Sequence, residues 1–155
     1  MKVNLGTLTI SSPAFKHGGP LPDTYSANGA GVSPPLSWTG VPDGTQSFAL
    51  VVHDWDAPLL GGFTHWVLYG IPGDVREIPE GGGKEYVQGV NGAGQPGWMA
   101  AAPPPGHGTH FYHFHVFAVG GEPDLPPGLT MAELLSRIDA DVINQARVVA
   151  TYCND

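Results

Sequence analysis

The sequence predicts one mainly β domain, a sandwich or barrel with a single helix late in the chain. Three observations carry this expectation. Four apolar runs of strand length are each bounded by Gly, Pro or Asp. Glycine and proline are abundant, 23 and 16 of 155 residues, which favours tight turns between short strands over long helices. Only one stretch, after residue 129, combines a helix-start signal with apolar residues at helical spacing.

The first run, Ser47–His53, is almost continuously apolar, which predicts a strand buried on both faces. His65–Ile71 follows after a turn, His110–Val119 is the longest run, and Val148–Tyr152 closes the chain. The helix is predicted over Thr130–Gln145. Thr130 and Glu133 form a capping box, and Met131, Leu135, Ile138 and Val142 recur as one apolar stripe. Core packing accounts for that stripe.

No repeat or linker divides residues 1–155, and the length suits one domain with a real hydrophobic core. Charged residues make up only 13% of the chain, against about a quarter in an average domain. The formal net charge of −8 argues against a broad nucleic-acid surface and against adhesion to an anionic bilayer. Any anion site must therefore be local. The single Cys153 cannot form an intrachain disulfide. No apolar stretch reaches membrane-spanning length, and Met1–Ile10 lacks a charged segment followed by an apolar one. A cytoplasmic protein without membrane insertion is the expectation.

Three stretches could carry chemistry. Asp54 and Asp56 sit two apart behind a buried strand, and continued strand geometry would point them the same way. A solvated turn is the competing reading. His65-Trp66 heads the next strand, where a histidine is commonly structural. Pro103-Pro104-Pro105-Gly106-His107-Gly108 then leads into His110 and Tyr112. Alternation places His110, Tyr112 and Phe114 on one face, and Phe111, His113 and His115 on the other.

Taken together, Ser33–Trp38, Ser47–Pro58, His65–Pro72 and residues 104–112 resemble the two signature regions of the phosphatidylethanolamine-binding family, in its microbial Raf-kinase-inhibitor-like branch. The resemblance implies an antiparallel β-sandwich with a helix near the C-terminus. It also implies a compact pocket for a phosphate-like anion or phospholipid head group. By position, that pocket would be built from Asp54, Asp56, His65, His110 and Tyr112, with Pro104, Gly106 and Gly108 at its rim. The family is associated with head groups and with modulation of kinases and other signalling proteins, so a protein partner is a further expectation. No cofactor and no metal is implied.

The sequence departs from the pattern at Met99–Ala102, where the family carries a glycine-rich stretch, and at Phe111, where it carries Arg. Ala140-Asp141 replaces a Gly-His pair, and Cys-Asn-Asp follows Tyr152 in place of a basic residue. One pocket wall should therefore be narrower, more apolar or displaced, while the His/Asp floor persists. A buried Asp could hold an imidazole protonated, and that imidazole could donate to an anion. With no Ser or Cys paired to an activating His, binding is expected rather than catalysis. Three alternatives stand beside it. The clustered His107, His110, His113 and His115 suit a metalloenzyme, although alternation separates them. A hydrolase would use His65 or His110 as base. An interaction module would carry a vestigial pocket.

Overall fold

The computed structural model describes residues 6–155. Among the described residues, eight strands form two antiparallel sheets, joined by a 3-10 turn at Asp23–Tyr25 and one α-helix. The small sheet has the order β1-β2-β5, from β1 (Thr9–Ser11), β2 (Leu36–Thr39) and β5 (Glu77–Ile78). The large sheet has the order β6-β4-β3-β7-β8. Its strands are β6 (Val87–Gln88), β4 (Phe63–Pro72), β3 (Ser47–Asp54), β7 (Thr109–Val119) and β8 (Val142–Cys153). The helix α1 spans Met131–Ile138. No helix among the described residues is long and apolar enough to cross a membrane.

The predicted two-sided burial of β3 follows from its central place. Phe48, Leu50 and Val52 point at the small sheet and join a core with Ile10, Leu36 and Trp38. The Trp38 and Phe48 rings lie 5.3 Å apart across that interface. Ala49 and Val51 point the other way and pack with Leu134 and Ile138 of α1. A strand covered on both faces needs apolar residues at every position, because each fully buried Val, Leu or Phe contributes about 1.5–3 kcal/mol.

The helix is shorter than predicted. It stops at Ile138, and Val142 and Gln145 already belong to β8. The Ile138-to-Val142 spacing continues the helical period, yet Asp141 turns back on Ile138 through a 2.8 Å backbone bond. From Val142 onward the chain pairs with β7 along its whole length, so ladder hydrogen bonds override the local period. The strand predicted over Val148–Tyr152 is the second half of this longer one.

The capping box forms as read. The Thr130 hydroxyl accepts from the Glu133 amide at 3.2 Å, and Glu133 accepts from the Thr130 amide at 3.0 Å. These bonds hold the Glu133 carboxyl below its ordinary range. Thr130→Ala is expected to cost about 1 kcal/mol, read as a lower urea midpoint at unchanged slope. An unmoved midpoint would remove the box from the stability of this face.

Candidate functional site

The site forms where β3 and β7 run side by side. Asp54, the last residue of β3, pairs with Tyr112 of β7, so both face the small-sheet side. His110 lies two residues back on the same face. Its Nδ1–H donates to Asp54 Oδ2 at 2.7 Å, with both residues at most 2% exposed. The other Asp54 oxygen accepts from the Asp56 amide at 2.8 Å. The outer nitrogen of His110 meets His107 Nδ1 at 2.6 Å. A hydrogen-bonded chain thus runs from the buried Asp54 through His110 to the exposed His107.

His65 reaches this face only because β4 is irregular. Val52 pairs with Trp66, but the next β3 residue, His53, pairs with Thr64, so His65 is an extra residue in the ladder. Trp66 packs into the inter-sheet core, while Thr64 bonds His53 at 2.9 Å. The bulge turns His65 beside Tyr112, with ring centroids 5.1 Å apart. His65 Nδ1–H donates to the Met99 carbonyl at 2.7 Å, and the Met99 amide donates to the His65 carbonyl at 2.8 Å. Burial pushes the His65 pKa down and so favours the neutral ring, with Nε2 as its remaining acceptor.

These side chains floor a cavity of about 310 Å³ that Asp54, His65, His110 and Tyr112 all line. One wall comes from Ala57, Pro58 and Leu59, in the turn between β3 and β4. The opposite wall is Met99, Ala100, Pro103 and Pro104. The Met99–Ala100 departure thus supplies apolar side chains to the cavity itself. Tyr112 is completely buried, yet its hydroxyl has no hydrogen-bond partner among the described residues. Burial and the nearby Asp54 carboxylate push its pKa up, so it remains a donor.

Three predicted residues lie elsewhere. Asp56 is exposed and does not line the cavity, because β3 ends at Asp54 and strand alternation ends with it. Its carboxylate instead accepts from the Phe111 amide at 2.9 Å, tying the turn to β7. Gly106 and Gly108 also lie outside the lining. Both adopt positive φ, +74° and +89°, and so bend the chain to bring His107 onto His110. Their contribution is the turn, not contact. The walls Ala57, Pro58 and Leu59, and His107 behind His110, are not among the site residues that the sequence predicts.

His113 and His115 stack on the opposite face of β7, 6.1 Å apart, as alternation predicts. Among the described residues, no three His, Cys, Asp or Glu side chains converge in a group suited to hold a metal. The large exposed hydrophobics of the described chain are Trp55, Leu59, Leu60, Met99 and Phe111. Leu59 and Met99 line the cavity, Leu60 follows Leu59, and Phe111 lies on the other face of β7. Two exposed apolar side chains therefore belong to the cavity walls.

The comparisons with known proteins agree with this fold. Residues 11–153 match the family model described as phosphatidylethanolamine-binding protein. A UPF0098 protein of Aquifex aeolicus is 38% identical, the match covering 96% of this chain and 90% of that protein. The crystal structure of a phosphatidylethanolamine-binding protein homologue from Chlamydia trachomatis superposes with a TM-score of 0.91 at 34% identity. That match covers 97% of this chain and 99% of the other. The structure of E. coli YbcL, described as a new member of the mammalian family, gives 0.88 at 31% identity, covering 96% and 99%. The chain belongs to the phosphatidylethanolamine-binding protein family, in the microbial Raf-kinase-inhibitor-like branch that holds these bacterial homologues.

Proposed function

We propose that the cavity binds a phosphate-type anion, and that its natural form is a phospholipid head group. One observation carries this reading. Tyr112 lines the cavity beside His65, and its buried hydroxyl has no hydrogen-bond partner among the described residues. A buried hydroxyl left unbonded costs about 1–3 kcal/mol, so a polar guest that accepts a hydrogen bond from it is favoured there.

The bonding pattern revises how charge is handled. The carboxylate is bonded to His110, not to His65, and both its oxygens already accept hydrogen bonds. That pairing offsets repulsion between Asp54 and an incoming anion. Burial disfavours the charged form of His65, so the second hydrogen bond to the anion needs a proton that arrives on binding. The lining contains no Ser, Thr, Cys or Lys to act as a nucleophile, which supports binding over catalysis. The exposed Leu59 and Leu60 beside the mouth favour a head group still attached to acyl chains over a free ion.

Sulfate tests the proton-coupled part, because it does not itself titrate near neutrality. With a bound anion raising the depressed His65 pKa, sulfate affinity should rise as pH falls from 8 to 5. The limit is about tenfold per pH unit for one proton taken up. Calorimetry in buffers of different ionisation enthalpy should show that uptake directly. Equal affinity at both ends of the range would exclude His65 as the responding group. Micellar short-chain phosphatidylethanolamine should bind more tightly than free phosphoethanolamine, and the reverse order would exclude the lipid-linked form.

A further inference from the structure

The turn that leads into β7 carries a histidine outside the cavity lining. Residues 104–109 are all exposed, and His107 stands among them between Gly106 and Gly108. Its Nδ1 meets His110 Nε2 at 2.6 Å, and His110 Nδ1–H donates to the buried Asp54. The direction of the first bond follows from the second. With one proton on each ring, His110 spends its proton on Asp54 and keeps a lone pair on Nε2. His107 must then donate from Nδ1, because two lone pairs facing each other at this distance would repel. The lone pair of His107 therefore lies on Nε2, where no hydrogen bond among the described residues takes it up.

The other six histidines differ. His53, His65 and His110 are buried, and His113 and His115 are half-buried. His17 is exposed, but its Nδ1 accepts from the Val149 amide at 3.2 Å. That bond puts the neutral ring's proton on Nε2 and leaves no outward lone pair. An imidazole that forms a covalent bond through Nε2 becomes cationic, and a base for its Nδ1 proton favours the step. His107 has that base in His110 Nε2, with the Asp54 carboxylate facing the imidazolium that results. Carboxylate, imidazole and nucleophile stand in the order of a nucleophilic triad, with a second imidazole in the last place.

We infer that His107 Nε2 is a phosphorylation site, taking a phosphoryl group from a donor that carries it on nitrogen. The Nε2 lone pair forms the new N–P bond. The P–N bond of the donor breaks, and its electron pair leaves with the amine. The Nδ1 proton of His107 passes to His110 Nε2, and His110 stays paired with Asp54. The donor class follows from charge. The Gly106 amide donates to the Asn154 carbonyl at 3.0 Å, which sets the turn beside the C-terminal segment and its Asp155. A leaving group that is a protonated amine suits this acidic neighbour better than the carboxylate of an acyl phosphate. Nothing lies within 4 Å of where a Cβ would stand on Gly106 or Gly108, so the turn leaves room for the phosphoryl group.

Phosphoramidate is the probe, with ammonia as its leaving group. Proteolysis and mass spectrometry under alkaline conditions compare His107 with His17 in one sample, and 31P NMR identifies the nitrogen. In the folded protein His107 should react roughly two- to tenfold faster than His17, the bias that one neutral hydrogen bond places on a tautomer. In urea the two should react alike. Asp54→Asn, checked for folding by its melt, should bring His107 toward the rate of His17, because the amide does not balance the His110 imidazolium. Should that variant not fold, the urea comparison reads the same loss. Equal rates in the folded natural protein, a preference for His107 that survives urea, attachment at Nδ1, or an unchanged rate in folded Asp54→Asn would each overturn the assignment. No step requires an anion in the cavity, so failure here leaves the sulfate test intact.

Discussion

Replacing His110 with alanine is expected to destabilise the protein by about 1–3 kcal/mol, the cost of leaving a buried acceptor without its hydrogen-bond donor. The reason lies in what is left behind. Asp54 is 2% exposed and keeps only the Asp56 amide once the imidazole is gone. The cavity created by the missing ring adds to the loss. In a domain of this size each kcal/mol lowers Tm by about 2–4 °C, so the effect is visible in a simple melt. The discriminating measurement is a double-mutant cycle in urea. Asp54→Asn alone should cost less than His110→Ala, because the amide carries no charge and can still accept from the imidazole. In the His110→Ala background, Asp54→Asn should recover part of the loss. A strictly additive double mutant would show that Asp54 and His110 do not act as a pair. His110 therefore cannot be read as a ligand contact alone, and an affinity lost in His110→Ala must be judged on protein shown to be folded.

The same pair shows how much the sequence discloses. Strand alternation separates His110 and Tyr112 from His113 and His115, and the structure keeps that division. The apolar run Ser47–His53 discloses a central strand, since only double coverage explains it. His65 is different. Strict alternation from Trp66 would send it to the helix side, and it reaches the cavity through a bulge that no local residue pattern encodes. Asp56 fails for the complementary reason. A period of two has meaning only while the strand lasts, and β3 ends at Asp54. The cavity walls Ala57, Pro58 and Leu59 sit in a turn, where no periodicity exists to be read. The early start of β8 was hidden because Ile138 and Val142 bury into the same cluster from two different elements, which mimics a continuing helical stripe. The short strands β1, β2 and β5 carry too few residues for alternation to stand out, so the choice of a sandwich over a barrel rests on the family resemblance.

Tyr112→Phe separates a binding role from a structural one, because the two predict opposite signs. The Tyr112 hydroxyl is buried without a partner among the described residues and lies near the Asp54 carboxylate. Deleting it removes a desolvated dipole and leaves the ring, so stability should hold or rise by up to about 1 kcal/mol. In the complex the same hydroxyl donates to an anion, a charged hydrogen bond of about 1.5–3 kcal/mol. Sulfate affinity should therefore fall by about ten- to a hundredfold. A hydroxyl that merely packs would move neither quantity, and one satisfied by an ordered water would lower stability when removed. The pH dependence adds a further control. It originates in His65, which Tyr112→Phe leaves in place with its bond to Met99. The variant should therefore bind sulfate weakly with an unchanged slope against pH, whereas His65→Ala should flatten that slope. A variant whose slope and affinity both match the natural protein would mean that the anion sits away from the Tyr112 hydroxyl, and the floor of the cavity would have to be reassigned.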